Sequence, residues 1–132
     1  MKTITMLTLL ILVLLNSCSS IDNSCICTQE FRMYTVLVID NTNQPVDSLN
    51  VEIKNVKTGR LYLFLEKIYL GKGVYQVMND SYTKEFTQWP EKVLFKGTKN
   101  GAVIESEYFF NTDECKCHVY KISGKDTLVI NL

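Results

Sequence analysis

Four cysteines form two Cys-x-Cys pairs, Cys25 with Cys27 near the beginning of the chain and Cys115 with Cys117 near its end. Residues two apart on a β-strand point to the same face, so two such strands side by side would bring four sulfur atoms together. In an exported protein this arrangement favours two disulfide bonds. Antiparallel strands predict Cys25–Cys117 with Cys27–Cys115, and parallel strands predict Cys25–Cys115 with Cys27–Cys117. The spacing leaves both pairings open.

Two other kinds of chemistry are open to four clustered thiols. Four thiolates can hold a structural zinc ion, although zinc sites prefer two or more residues between paired cysteines. A redox-active Cys-x-Cys pair is the second alternative, but two copies facing each other are more typical of structural disulfides. We therefore predict disulfides and no cofactor, with a zinc-dependent or redox protein as the alternative.

The fifth cysteine follows an apolar segment. Lys2 precedes an apolar run at 6–15, which is too short to span a bilayer core of roughly 30 Å and is typical of a secretory signal peptide. The run ends in Leu-Asn-Ser-Cys18, which resembles the bacterial lipobox. That resemblance implies a lipoprotein signal peptide at 1–17, cleavage before Cys18, and a diacylglycerol on its thiol. Two or three acyl chains such as palmitate anchor a protein stably.

The lipobox resemblance also predicts where the protein resides. The remainder of the chain would be held on a bacterial membrane, the outer membrane more than the inner, by a short tether at 18–24. The membrane itself is then the first expected partner, through the lipid anchor. Envelope proteins and glycans are the other partners expected at that location.

The rest of the chain alternates between short apolar segments and turns. Alternating apolar and polar residues, with many β-branched and aromatic side chains, predict strands. The segment 60–70 fits a short helix or a strand, and its Tyr and Phe residues favour a strand. We predict an all-β fold, an antiparallel sandwich of about seven or eight strands in one domain at 25–132. The predicted strands are 31–40, 49–56, 60–70, 73–79, 91–99, 102–110, 115–123 and 126–132.

Five short motifs follow one another in the first half of this domain: Val36–Asp40, Gln44–Val46, Leu49–Ile53, Thr58–Gly59 and Gly73–Val77. Their layout resembles the carboxypeptidase regulatory-like domain, a transthyretin-like sandwich of seven strands. The resemblance covers less than half of the chain that would remain after cleavage. It implies the fold, and an accessory role in stabilising a neighbour, in binding, or in building outer-surface assemblies.

Little in the sequence points to catalysis. One branch of transthyretin-like proteins hydrolyses 5-hydroxyisourate with several histidines and arginines and a C-terminal Tyr-Arg-Gly-Ser, and this chain has one histidine and ends differently. That histidine, His118, follows Cys117 on a predicted strand, so we expect it to face solvent. Nucleophile-elbow and phosphate-loop motifs are absent from the sequence. We predict that the protein is not an enzyme.

Charge and aromatic residues complete the functional expectations. Lys plus Arg equals Asp plus Glu at 14 each, which gives no basic surface for nucleic acid. Tyr82, Phe86 and Trp89 lie in the irregular segment 81–90, where they form a platform for a glycan or small ligand or else plug one end of the sandwich. We predict a lipid-anchored, non-enzymatic binding or structural module, with ligand binding by these aromatics as the alternative. The oligomeric state is not predicted.

Overall fold

The computed structural model describes residues 25–64 and 70–132. The predicted signal peptide at 1–17, the lipidation site Cys18 and the tether at 18–24 therefore lie outside the described residues. Within residues 25–64 and 70–132, no helix is long and apolar enough to cross a bilayer.

Seven strands in the described residues form two sheets. The three-stranded sheet has the order β3-β1-β7 and the four-stranded sheet the order β2-β4-β5-β6. Neighbouring strands are antiparallel except for β1 and β7. The prediction of an all-β antiparallel sandwich of about seven or eight strands is confirmed, and among the described residues the parallel β1–β7 pair departs from it. The strands are β1 Met33–Ile39, β2 Asn50–Asn55, β3 Val74–Asn79, β4 Glu91–Lys99, β5 Ala102–Thr112, β6 Val119–Ser123 and β7 Thr127–Val129.

The core lies between the two sheets because alternate residues of each strand point inward. In β4, Val93 and Phe95 are fully buried, whereas Lys92 between the strand's buried residues is half-buried on the outer face. The same period places Tyr108 and Phe110 of β5 in the core. The opposite sheet supplies mainly β-branched residues and one methionine: Val36, Val38, Val77, Met78 and Leu128.

The predicted strand at 115–123 begins later than its sequence pattern indicates. β6 begins at Val119, and the residues from 115 to 118 form a turn and an irregular segment. Lys116 has a φ of 53°, in the left-handed region that a strand cannot contain. Asp113 stabilises this turn, since its backbone carbonyl accepts from the Lys116 N–H and its carboxylate accepts from the Cys117 N–H.

The predicted strand at 60–70 is only partly present. Leu61 forms a single bridge with Lys54 of β2, and the Tyr62 N–H donates to the Ile53 carbonyl. These contacts extend the edge of β2 for a few residues only. Residues 65–69 of that prediction lie outside the described residues.

The irregular segment at 81–90 contains a short 3-10 helix, Asp80–Glu85. Asn79 caps it, since its side-chain oxygen accepts from the Ser81 N–H at 2.9 Å. Asn at this position satisfies a donor that would otherwise have no partner at the helix start. The helix directly follows β3, so it lies at the end of the sandwich where that strand finishes.

Strand directions bring several chain segments to this same end. Met33 at the start of β1 pairs with Asn79 at the end of β3, and Thr112 at the end of β5 pairs with Val119 at the start of β6. We call this the disulfide end. It consists of the 25–32 segment, the 3-10 helix, the 86–90 loop and the 113–118 loop.

Candidate functional site

Two disulfide bonds join the 25–32 segment to the 113–118 loop. Cys25 bonds to Cys115 and Cys27 to Cys117, with Cα atoms 5.5 Å and 5.3 Å apart. Each bond links residues 90 apart in sequence, so the two segments run side by side in the same direction. This is the parallel one of the two predicted pairings, although neither segment is a strand.

The two bonds contribute to stability in different ways. The first closes a loop of 90 residues, worth about 4–5 kcal/mol in the chain-entropy account of disulfide stabilisation. Once it exists, the second closes only the small ring between the two Cys-x-Cys pairs, worth about 2 kcal/mol by the same account. The second bond therefore acts chiefly by fixing the register of the two segments.

A buried carboxylate lies beside the disulfides. Asp80 Oδ2 accepts from the Arg32 backbone N–H and contacts His118 Nδ1, both at 2.8 Å. Its other oxygen, Oδ1, accepts from the Val119 N–H at 2.8 Å. The side chains of Asp80 and His118 are each only 7% exposed. One carboxylate thus joins the 25–32 segment, the 3-10 helix and the start of β6.

The network continues from the imidazole to the surface. His118 Nε2 lies 2.7 Å from the Thr28 hydroxyl oxygen, and Thr28 itself is exposed. Glu30 lies farther away, with Oε1 4.0 Å from the same nitrogen. Glu30 also pairs with the Arg32 guanidinium, and this hydrogen bond raises the pKa of Arg32.

The expectation that His118 faces solvent is wrong. His118 is 5% exposed, because it precedes β6 in the irregular segment, where the alternation of a strand does not apply. The sequence does hold a signal for its partner. Thr28 and His118 are one residue beyond Cys27 and Cys117, so parallel pairing of the cysteines places hydroxyl and imidazole opposite each other.

Hydroxyl, imidazole and carboxylate occur here in the order that activates serine and threonine nucleophiles. In such a site the imidazole takes the hydroxyl proton and the carboxylate orients the ring. The same contacts also serve a purely structural purpose, because a buried imidazole and a buried carboxylate need hydrogen-bond partners. The arrangement is therefore able to act as a clamp or as a nucleophilic site.

The three predicted aromatic ligand-binding residues lie in different environments. Phe86 is fully buried and belongs to the core, so its ring faces no ligand in this structure. Tyr82 packs edge-on against Tyr62 and Phe64, in the manner of a plug at the end of the sandwich. Trp89 is 79% exposed. The structure therefore separates these three side chains and presents only Trp89 fully to solvent.

The loop that carries Trp89 is firmly held from beneath. Glu91 is buried, and its Oε1 accepts from the Thr87 N–H at 3.0 Å. β5 adds two hydrogen bonds to this loop. The Thr112 N–H donates to the Thr87 carbonyl at 2.9 Å, and the Asn111 side-chain amide donates to the Gln88 carbonyl at 3.0 Å. The exposure of Trp89 is thus imposed by an ordered loop.

Neither the search for a metal site nor the comparison with known proteins assigns a role to these residues. Across residues 25–64 and 70–132, no cluster of three or more His, Cys, Asp or Glu side chains is arranged to hold a metal ion. Comparison of the chain with protein families, with curated proteins and with solved structures gave no match. The resemblance to carboxypeptidase regulatory-like domains therefore stays a prediction.

Replacing Asp80 by Ala tests the clamp. The Arg32 and Val119 N–H groups and the His118 ring would lose their buried acceptor, and we expect the free energy of unfolding to fall by about 3 kcal/mol. Asp80→Asn keeps one acceptor oxygen, so its loss should be smaller. Urea unfolding followed by circular dichroism measures both.

The control for this experiment is Asp126→Ala, which removes a carboxylate that is 86% exposed and paired with Lys121. Exposed pairs contribute about 0–1 kcal/mol, so this variant should unfold almost as the wild type does. Equal stabilities for the Asp80→Ala and Asp126→Ala variants would contradict the clamp.

Proposed function

We propose that this protein is a lipid-anchored module of a bacterial envelope, in which a non-enzymatic β-sandwich binds or supports other envelope components. The observation that carries the proposal is the pair of disulfides at Cys25–Cys115 and Cys27–Cys117. Disulfides of this kind persist in oxidising compartments and are rare in the cytosol. They support export, which the signal-like segment at 1–17 and the lipobox-like Cys18 predict independently.

The position of the disulfides also suits an anchored domain. Cys25 is only a few residues beyond Cys18, so any force on the anchor reaches the sandwich through the 25–32 segment. Two covalent bonds attach this segment to the 113–118 loop, and the Asp80 clamp attaches it to the start of β6. The attachment protects the fold from being unravelled from its first strand.

A structural role accounts for each contact of the buried polar network. Asp80 accepts from two backbone groups and contacts His118, and each of these partners belongs to a different segment. Thr28 then completes the contacts of the imidazole. Because these contacts join separate segments of the chain, they support a clamp, and we propose a non-enzymatic protein on this basis.

The sandwich is compatible with the accessory role implied by the carboxypeptidase regulatory-like resemblance. In the resembling part of the chain, β2 and β3 contribute Ile53 and Val77 to the core as an alternating strand pattern requires. We propose membership of that family on the motifs alone, with envelope proteins or glycans as the partners of the module.

The anchor is tested by replacing Cys18. Expressed from its full gene in a Gram-negative host, the wild-type chain should fractionate with membranes, incorporate labelled palmitate, and have an N-terminal mass that fits a diacylated Cys18. Cys18→Ala removes the acceptor thiol and should abolish the label. Ser20→Ala, which keeps the thiol, is the matched control. An unlabelled wild-type chain that fractionates with soluble proteins would contradict the proposal.

The absence of enzymatic activity is tested with a fluorophosphonate probe, which loses fluoride when an activated hydroxyl forms a bond to phosphorus. We expect the oxidised wild-type chain and Thr28→Ala to remain equally unlabelled, because the Thr28 hydroxyl only completes the clamp. Mass spectrometry of the intact chain is the measurement. Stoichiometric labelling that disappears in Thr28→Ala would show that Thr28, His118 and Asp80 form a nucleophilic site.

A further inference from the structure

Large apolar side chains are exposed at the disulfide end. Ile26 lies between Cys25 and Cys27 and is 92% exposed, and Trp89 is 79% exposed. Phe31, just before β1, is 58% exposed. Single exposed apolar residues are ordinary on protein surfaces. Ile26, Trp89 and Phe31 differ from such scattered residues because all three lie at the disulfide end, which is the end of the domain connected to Cys18.

Direct contacts place the Trp89 loop beside the disulfide-bonded loop. Thr112 and Asn111, which precede the 113–118 loop, bond to the carbonyls of Thr87 and Gln88. The Lys116 ammonium, between the two bonded cysteines, donates to the Lys84 carbonyl at 3.3 Å. The two loops therefore form one continuous surface, and the disulfides fix Ile26 to it.

The length of chain before Cys25 determines which end of the domain can face a membrane. A fully extended chain from Cys18 to Cys25 spans at most about 25 Å. The 11 residues of β5 alone span about 35 Å along the sandwich. A lipid on Cys18 therefore keeps the disulfide end within about 25 Å of the bilayer, whereas the opposite end is not held in this way.

We propose that the disulfide end rests on the membrane, with Trp89 and Ile26 inserted at the boundary between lipid headgroups and acyl chains. The proposal rests on the lipid anchor at Cys18 proposed above. Trp is well suited to this boundary because its ring is apolar and its N–H remains able to hydrogen-bond. A loop that is already ordered presents Trp89 without a large loss of conformational freedom on insertion.

The charges at this end identify the kind of lipid surface. Exposed Lys84 and Lys116 are balanced by exposed Glu30 and Glu114. Such a mixed surface has no strong attraction to anionic headgroups. Contact should therefore form on zwitterionic phospholipid and should change little with salt, because apolar insertion does not depend on screening.

The experiment uses the full lipidated chain in phosphatidylcholine vesicles with brominated acyl chains, which quench nearby tryptophan. Trp89 is the chain's single tryptophan, so the wild type needs no label. We expect Trp89 emission to shift to shorter wavelength and its intensity to fall roughly twofold relative to unbrominated vesicles, as for a ring about 5–10 Å deep. Ile26→Ser should reduce the quenching without affecting folding, because Ile26 is almost fully exposed.

The matched control moves the tryptophan to the opposite end. Val103 is 56% exposed beside the β4–β5 turn, and a Trp89→Phe, Val103→Trp double variant should show no quenching by brominated lipid. Equal quenching at both positions, or none at Trp89, would overturn the proposal. A glycan site would give a different result, which would also overturn the proposal. Aqueous acrylamide would still quench Trp89 on vesicles, and a soluble oligosaccharide would protect Trp89 from that quenching.

Failure of the anchor and failure of the membrane contact give different results. The mass of the purified chain and its flotation with vesicles report the lipid on Cys18. A lipidated chain that floats, with Trp89 unquenched, overturns the contact alone. A chain with an unmodified Cys18 overturns the anchor and this contact together.

Discussion

Covalent closure of the chain between Cys25 and Cys115, and again between Cys27 and Cys117, is the constraint on which the disulfide end depends. Without these bonds, the 25–32 segment, which has no strand structure, would extend freely from the sandwich. The two bonds instead hold it against the 113–118 loop. The bonds hold Thr28 against the buried imidazole, beside the contacts that Asp80 makes with Arg32 and Val119.

This end combines two different properties. Its interior contains a hydrogen-bonded carboxylate and imidazole that are almost inaccessible to water. Its exterior presents Ile26 and Trp89 to solvent. The buried network gives the surface a fixed shape, and the exposed side chains give it affinity for an apolar environment. The lipid anchor that we propose at Cys18 would account for both properties at this end.

The sequence predicted most of the fold because a strand repeats every two residues: Val93, Phe95 and Tyr108 are buried as their alternation required. It could not predict which cysteines pair, because the pairing depends on the direction in which the 25–32 segment runs beside the 113–118 loop. His118 was assigned wrongly because the positive φ at Lys116 interrupts the strand pattern. Asp80 has no distinguishing local pattern, since its donors come from sequence positions far away.

Disulfide connectivity tests the account most directly. Trypsin separates Cys115 from Cys117 at Lys116, and an Ile26→Lys variant permits cleavage between Cys25 and Cys27. Mass spectrometry of the unreduced digest should then find the peptides of Cys25 and Cys115 joined, those of Cys27 and Cys117 joined, and no free thiol among the four. Crossed pairing, or four free thiols released together with a zinc ion, would contradict the account.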